Sequence, residues 1–271
     1  MEPVIVSVNL SGDLRGRIQA AAQAGFAGIE IFHADFEAAG LPASEVGRLI
    51  EQTGMRLVAY QPLHEFEAMP GPRRAEAFDR AERMLDRATE LGAALLLVCS
   101  NVSPQALNDD ARAAADLAEL GERAGGRGLA IAYEAIAWGR RVRDYAHGWA
   151  IVRAADHPRV GLALDTFHLF HRADPLDALP AIPGERIFLV QANDGLRLDL
   201  EIRELSRHHR ALPGEGFFPL AAFMRALGRT GFDGPLSLEV FSDVLRALPA
   251  ARSAALSFRA WRWLIGQLPQ R

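Results

Sequence analysis

Four oxygen-bearing side chains stand at the carboxyl ends of four successive apolar segments. They are Glu134, Asp165, Gln191 and Glu239. If those segments are neighbouring parallel strands, about 4.8 Å apart, their ends form a compact crescent of oxygens. Three carboxylates held this close repel one another, and a divalent cation is the simplest way to keep them ionised. The oxygen ligands favour Mg²⁺ or Mn²⁺ over zinc, with Co²⁺ as a third candidate.

A simpler interpretation is that each residue separately caps a strand or pairs with an arginine. For a single strand-end glutamate, that interpretation is the better one. For four such residues on successive segments, the metal site is favoured.

A histidine follows the second carboxylate by three residues, in Asp165-Thr-Phe-His168. At the corner between a strand and a loop, this spacing places an imidazole just beyond the cation. Histidine is the side chain best suited to exchange a proton near neutral pH. His168 is therefore the candidate catalytic residue, although spacing alone is equally compatible with a capping or hydrogen-bonded histidine. His171 lies further along and ranks lower.

A second polar segment reads Ser206-Arg-His-His-Arg210 and is followed by Pro213-Gly-Glu-Gly216. The planar guanidinium of arginine suits a substrate carboxylate, and a hydroxyl can share the same oxygen. A basic stretch on a loop is usually just solvated, so composition alone leaves a binding role open.

Composition excludes several classes of function. All 30 basic residues are arginine, which excludes Schiff-base, pyridoxal phosphate and P-loop chemistry because each needs a lysine. The net charge of −4 argues against nucleic acid and favours a small-molecule substrate. One cysteine, Cys99, forms neither an internal disulfide nor a thiolate cluster. Without a secretory signal or an apolar run of about 18 residues, we expect a cytoplasmic protein with no membrane partner. A homo-oligomer stays open.

The elements that must position these residues alternate regularly along the chain. Helical patterns such as Ala75–Leu91, with apolar residues three and four apart, separate short strands. The predicted strands are Val4–Val8, Gly28–Phe32, Arg56–Tyr60, Ala94–Cys99, Leu129–Glu134, Val160–Asp165, Arg186–Gln191 and Pro235–Phe241. This α/β pattern predicts a single (β/α)8 TIM barrel over residues 1–271. An open doubly wound sheet is the alternative, disfavoured because no G-x-G-x-x-G follows the first strand.

The longest gap between predicted strands runs from Gln191 to Pro235. Its first half, Ala192–Gly216, shows no convincing helical period. Long loops inside a domain are usually functional, and in a barrel this one lies on the face where active sites form.

These motifs, in this order, resemble the xylose isomerase-like barrel superfamily, and more closely its bacterial metal-dependent 3-dehydroshikimate dehydratases. The matching stretches span nearly the whole chain: Gly25–Phe32, Tyr60–Pro62, Leu95–Pro104, Tyr133–Arg140, Asp165–His168, Val190–Gln191, Ser206–Arg210, Pro213–Gly216 and Leu236–Phe241. Glu and Asp-x-x-His are shared by the wider superfamily. Two features narrow the resemblance to the dehydratases within this superfamily. One is Gln191, where many sugar epimerases have a metal-binding histidine, and the other is the Ser-Arg-His-x-Arg loop.

The resemblance implies a metal-dependent lyase that converts 3-dehydroshikimate to protocatechuate in quinate and shikimate catabolism. It implies the four oxygen-bearing residues as metal ligands, His168 as catalytic general base, and Ser206 and Arg210 as substrate-binding residues. Two departures stand out. Many similar proteins continue into a second domain resembling hydroxyphenylpyruvate dioxygenase. In addition, His64-Glu65 stand where the family has Arg-Asp, which puts substrate affinity in question.

Other functions stay open. A sugar isomerase or epimerase on the same barrel also begins with metal-assisted proton abstraction, but it returns the proton instead of eliminating water. A non-catalytic binding protein would keep the pocket without turnover, and the complete ligand set disfavours it. An endonuclease of the same superfamily is disfavoured by the net acidity and the lack of a basic stripe.

Overall fold

Ten strands lie within residues 1–268, the part of the chain that the computed structural model describes. In chain order they are β1 (Glu2–Val6), β2 (Gly28–Phe32), β3 (Arg56–Leu63), β4 (Leu95–Cys99), β5 (Ala130–Glu134), β6 (Val160–Asp165), β7 (Ile187–Ala192), β8 (Asp194–Gly195), β9 (Arg210–Ala211) and β10 (Pro235–Leu238). All but β8 and β9 run parallel and close into a barrel in the order β1-β10-β7-β6-β5-β4-β3-β2. The predicted TIM barrel is confirmed, and its closure excludes an open sheet. The last three residues of the predicted domain, 269–271, lie outside the described part.

Helices cover the outside of the barrel. They are α1 (Leu14–Ala24), α2 (His33–Ala39), α3 (Ala43–Gln52), α4 (Pro72–Leu91), α5 (Asp110–Gly125), α6 (Tyr145–Ala155), α7 (Thr166–His171), α8 (Ile202–His208), α9 (Leu220–Thr230), α10 (Asp243–Arg246) and α11 (Ala250–Ile265). Strand side chains alternate between two apolar clusters, as the pleat requires. Ile29 and Ile31 pack outward in the larger cluster, so Glu30 between them points into the barrel. Within residues 1–268, none of the helices has both the length and the apolarity to span a membrane.

The first and last barrel strands end earlier than predicted. β1 stops at Val6 because Ser7–Asn9 form a 3-10 turn. The buried side chains of this turn serve other segments: Ser7 Oγ accepts from the Phe32 N–H at 3.0 Å, and Asn9 Oδ1 accepts from the Val240 N–H at 2.9 Å. Because the Val240 N–H bonds Asn9 instead of a neighbouring strand, β10 ends at Leu238, and Glu239 is the first residue after it.

The long segment between β7 and β10 contains a helix that the sequence analysis missed. The helix α8 is only seven residues long, too short to show an apolar period, and it lies between the two strands of the β8–β9 hairpin. The segment is therefore folded rather than an irregular loop, and it carries Ser206 and Arg210 to the barrel mouth.

One buried carboxylate, that of Asp194, holds the backbone after β9 against β8. Asp194 is 2% exposed and accepts hydrogen bonds from the backbone N–H groups of Gly195, Gly214, Gly216 and Phe218 at 2.9–3.1 Å. A Cβ at Gly216 would collide with the Gly195 carbonyl and with this carboxylate. The Pro-Gly-x-Gly turn therefore lets the backbone close around Asp194.

A second buried carboxylate joins the loops after β3 and β4. Glu67 accepts hydrogen bonds from the Asn101 N–H at 2.6 Å and from the Tyr133 hydroxyl at 2.9 Å. Burial raises the pKa of Glu67 to about 7, although both donors oppose the shift. Glu67 thus connects these two loops with Tyr133 in β5.

Replacing Glu67 with glutamine is expected to flatten the dependence of stability on pH. The raised pKa favours the folded protein below pH 4.5, and this advantage, roughly 3 kcal/mol for a shift from 4.5 to about 7, is lost as the pH rises through 7. Urea unfolding of both proteins at pH 5 and pH 8 measures the difference. An equal pH dependence in Glu67→Gln and the parent chain would contradict the expectation.

Candidate metal centre

The four predicted oxygen ligands meet at one edge of the barrel. Glu134 and Asp165 end β5 and β6, Gln191 is the last residue but one of β7, and Glu239 directly follows β10. These four strands are neighbours, and the register places Asp165 beside Gln191. All four side chains are at most 5% exposed. The structure thus brings together groups separated by up to 105 residues in the sequence.

One cluster of possible ligating atoms at this edge consists of Glu134, Asp165 and His168. One ligand atom from each lies within 4.8 Å of the others. His168 Nε2 is 3.7 Å from Glu134 Oε1 and 3.8 Å from Asp165 Oδ2. These three residues form a candidate metal-binding triad, which includes a histidine that the sequence analysis assigned to catalysis.

Among the side-chain oxygens of the four candidate ligands, two lack a hydrogen-bond donor within residues 1–268. Glu134 Oε2 accepts from the Cys99 thiol at 3.1 Å, but Glu134 Oε1 and Gln191 Oε1 have no partner. Burial and the charges of Asp165 and Glu239 raise the pKa of Glu134 well above its usual value. Buried acceptors without a donor are costly. A divalent cation would satisfy both oxygens and favour ionised Glu134, so the side chains present fit a metal ion.

Asp165 is held in its ionised form. Burial opposes its ionisation, but the charge of Arg210 and the hydrogen bonds from Phe167 and Asn193 together hold the pKa of Asp165 below its usual value. Its Oδ1 accepts from the Phe167 N–H at 2.8 Å and from Asn193 Nδ2 at 2.7 Å, and its Oδ2 accepts from Arg210 Nη1 at 2.7 Å. The carboxylate is therefore fixed in orientation before any ligand arrives.

Arg210, implied as a substrate-binding residue, is already engaged with carboxylates. Its Nη1 bonds both Asp165 and Glu239 Oε2, the latter at 3.0 Å. Its Nη2 donates to Ser206 Oγ at 2.9 Å, and Nε donates to the Ser206 carbonyl at 3.0 Å. Burial still raises the pKa of Glu239 to about 7, although Arg210 opposes that shift. Arg210 thus compensates two buried acids, and Ser206 holds its guanidinium in place.

His168 is neutral and fixed in orientation. Burial lowers its pKa to about 3 although Asp165 opposes the shift, and the rings of Trp138 and Phe167 contact it edge-on. The Ala137 N–H donates to Nδ1 at 3.2 Å. Because a neutral imidazole carries one hydrogen, this contact places the hydrogen on Nε2, the nitrogen that faces the carboxylates.

The carboxylates open into a narrow cavity lined also by His64, Trp138, Arg207 and Phe241. Its volume is about 30 Å³, which holds an ion or a water molecule rather than a ring. Side chains at the mouth must therefore turn outward to admit a ring-sized substrate.

Arg207 is a candidate that the sequence analysis did not select. Its guanidinium lies 5.5 Å over the Phe241 ring, and within residues 1–268 it has no carboxylate partner. A half-buried cation facing the cavity suits an anionic substrate. The sequence signal for Arg207 was its position between Ser206 and Arg210. Spacing alone could not show that Arg210 bonds two carboxylates while Arg207 has no salt bridge within residues 1–268.

Comparison with known proteins agrees with this architecture. A family model described as xylose isomerase-like TIM barrel matches residues 18–262. The 3-dehydroshikimate dehydratases of Pseudomonas putida and Pseudomonas aeruginosa are 44% and 42% identical, over 97% of this chain and 42% of their own length. A solved xylose isomerase-like TIM barrel/4-hydroxyphenylpyruvate dioxygenase fusion protein is 42% identical, with a TM-score of 0.94 over 97% of this chain and 42% of that one.

The chain thus spans less than half the length of these two dehydratases and of this fusion protein, whereas the matches cover 97% of its own residues. The match includes all of the strands that carry the candidate ligands. On fold and sequence together, the chain belongs to the xylose isomerase-like TIM barrel family.

Proposed function

We propose that this chain is a metal-dependent lyase that dehydrates 3-dehydroshikimate to protocatechuate. The observation that carries the proposal is the buried set of oxygens at the strand ends, with His168 beside it. Two relatives at 44% and 42% identity bear the name 3-dehydroshikimate dehydratase. Loss of water next to a ketone needs polarisation of that ketone and a residue that moves a proton, and this site offers groups for both.

Glu134, Asp165, Gln191 and Glu239 would hold the cation. Their oxygens suit Mg²⁺ or Mn²⁺, with Co²⁺ as a third candidate. When bound, the cation supplies Lewis-acid polarisation of the ring ketone. His168 is left out of the ligand set because the Ala137 contact places hydrogen on Nε2, so this nitrogen has no lone pair to offer a metal.

His168 is proposed to move a proton at Nε2. As general base it takes the acidic carbon-bound hydrogen as a proton at Nε2, which requires the ring hydrogen to lie on Nδ1, the tautomer opposite to the one that Ala137 favours in the structure. The imidazolium then gives that proton to the departing hydroxyl, which leaves as water, while the C–H electron pair becomes the new ring double bond. Ser206 and Arg210 line the same cavity and are proposed to hold the substrate close to this atom while Arg210 compensates Asp165 and Glu239.

An assay of the metal-reconstituted protein tests the function. The chain is stripped with a chelator, loaded with Mg²⁺, Mn²⁺ or Co²⁺, and given 3-dehydroshikimate while near-ultraviolet absorbance is followed. We expect an aromatic product with metal and none with excess chelator. Epimerised sugars without an aromatic product would instead indicate an isomerase or epimerase, and no product from any substrate would indicate a binding protein.

Replacing Arg207 with glutamine is expected to raise KM for 3-dehydroshikimate about 10–100-fold, since a hydrogen bond to a charged group contributes roughly 1.5–3 kcal/mol. The change in kcat should be smaller because Arg207 lies at the mouth rather than against the carboxylates. Initial rates over a substrate series give both constants. Arg225→Gln is the control, since Arg225 is exposed on α9 and does not line the cavity. Equal KM values for the two variants would contradict a role for Arg207.

A further inference from the structure

Glu30 lies inside the barrel and touches the candidate metal centre through a glutamine. It is fully buried in β2. Its Oε2 accepts hydrogen bonds from Gln61 Nε2 at 2.9 Å and from Gln191 Nε2 at 3.1 Å. The second contact joins residues 161 positions apart in the sequence and connects Glu30 to a candidate ligand.

Both hydrogens of the Gln191 amide nitrogen are used. One is donated to Glu30 Oε2 and the other to Glu239 Oε1 at 3.2 Å. The opposite end of the amide, Gln191 Oε1, is buried without a hydrogen-bond partner. If the amide were rotated by 180°, Oε1 would face the carboxyl groups of Glu30 and Glu239. The NH₂ group, which cannot bind a cation, would then occupy the present position of Oε1.

Of the two acceptors that fix this orientation, only Glu30 stays available when a cation is bound. Glu239 is itself a candidate ligand, so its oxygens are needed by the metal. Glu30 is not among the candidate ligands. Its Oε2 faces the amide nitrogens of two glutamines, which are donors rather than metal-binding groups, and its Oε1 is buried without a hydrogen-bond partner within residues 1–268.

We propose that Glu30 is a positioning residue for the metal centre, which holds the Gln191 amide so that Oε1 faces the cation. This inference rests on the ligand set of the proposed function, but its readout is metal binding and does not depend on the substrate. Residues that orient metal ligands typically change metal affinity by about 10–100-fold when replaced.

Titration of the full chain with Mn²⁺ by calorimetry tests the proposal. Glu30→Leu removes the acceptor and is expected to weaken Mn²⁺ binding by about 10–100-fold. Glu30→Gln keeps a carbonyl oxygen in the same place and is expected to bind Mn²⁺ within a few-fold of the parent chain. Glu67→Leu is the matched control, because Glu67 is an equally buried carboxyl whose two donors, Asn101 and Tyr133, are not candidate ligands. It is expected to lower stability without weakening Mn²⁺ binding.

The spectrum of the Co²⁺-loaded protein gives a second readout. Its visible bands are expected to change in Glu30→Leu, because the Gln191 amide loses its orientation, and to stay unchanged in Glu30→Gln. If Glu30 had only a structural role, the metal ligands would stay in place and the bands would be the same in both variants. If Glu30→Leu does not fold, Glu30→Asp replaces it: the carboxyl is kept but drawn back by one methylene, and affinity should still fall.

Unchanged Mn²⁺ affinity in a folded Glu30→Leu or Glu30→Asp variant would overturn the proposal, as would a parent chain that binds no Mn²⁺. A parent chain that binds Mn²⁺ normally but forms no protocatechuate would overturn the proposed reaction alone. The two failures are therefore distinguishable.

Discussion

Replacing His168 with alanine is expected to lower kcat for dehydration by about 10²–10⁴-fold, the usual contribution of a positioned acid or base. Metal content should stay at the level of the parent chain, because His168 Nε2 carries hydrogen in the geometry that Ala137 imposes. Product absorbance gives kcat, and elemental analysis gives the metal content. His171→Ala is the control, since His171 packs against Phe167 outside the ligand cluster. Retained turnover in His168→Ala would remove His168 from the mechanism, and lost metal would make it a ligand.

The same variant separates the two roles of the histidine. When the reaction runs in deuterated water, substrate recovered from His168→Ala will exchange its acidic carbon-bound hydrogen if His168 only protonates the leaving hydroxyl. If His168 is the general base, exchange will stop together with dehydration. The proposed role of His168 as general base predicts the second result.

Replacing Arg210 with methionine is expected to destabilise the metal-free protein by about 3–5 kcal/mol, the usual penalty for leaving a buried charge without its partner. Arg210 Nη1 bonds both Asp165 and Glu239, and all three side chains are buried. A divalent cation provides the missing positive charge, so Mn²⁺ should restore more stability to the variant than to the parent chain. Urea unfolding at pH 7, with chelator and then with Mn²⁺, measures both effects.

Arg141→Met is the control for loss of an arginine in general. Arg141 pairs with Asp110 on the surface, where ion pairs contribute little, and the variant should unfold close to the parent chain. If Arg210→Met were as stable as Arg141→Met in chelator, the two carboxylates would not depend on Arg210 for compensation.

The barrel could be predicted because its strands are short, apolar and separated by amphipathic helices. β2 and β6 have the predicted bounds, and α4 begins only three residues before its predicted start. The ends of β1 and β10 were wrong because Asn9 and Val240 meet across 231 positions, and local patterns do not contain such a contact. The seven-residue α8 was missed because an apolar period needs more than two turns to be visible.

The candidate ligands could be predicted for a simple physical reason. Parallel strands end at the same edge, so a polar residue at each end must face the others. The partners of those ligands could not be predicted. Arg210 was assigned to substrate, but it also compensates Asp165 and Glu239. Of the two arginines in the Ser206–Arg210 segment, Arg207 is the one without a salt bridge to a carboxylate of the described residues. Glu30 and Ala137 act through contacts whose sequence separation carries no local signal.

The four backbone hydrogen bonds to Asp194, from Gly195, Gly214, Gly216 and Phe218, affect how the pocket can accommodate a substrate. Four amide groups anchor the returning chain to one carboxylate, so little conformational entropy is left to lose there when a small molecule enters. Adaptation to a different substrate would then come from side-chain rotamers, such as those of Arg207 and His64, rather than from backbone rearrangement. Efforts to alter substrate selectivity should accordingly vary these two positions and leave Asp194 and its four backbone donors unchanged.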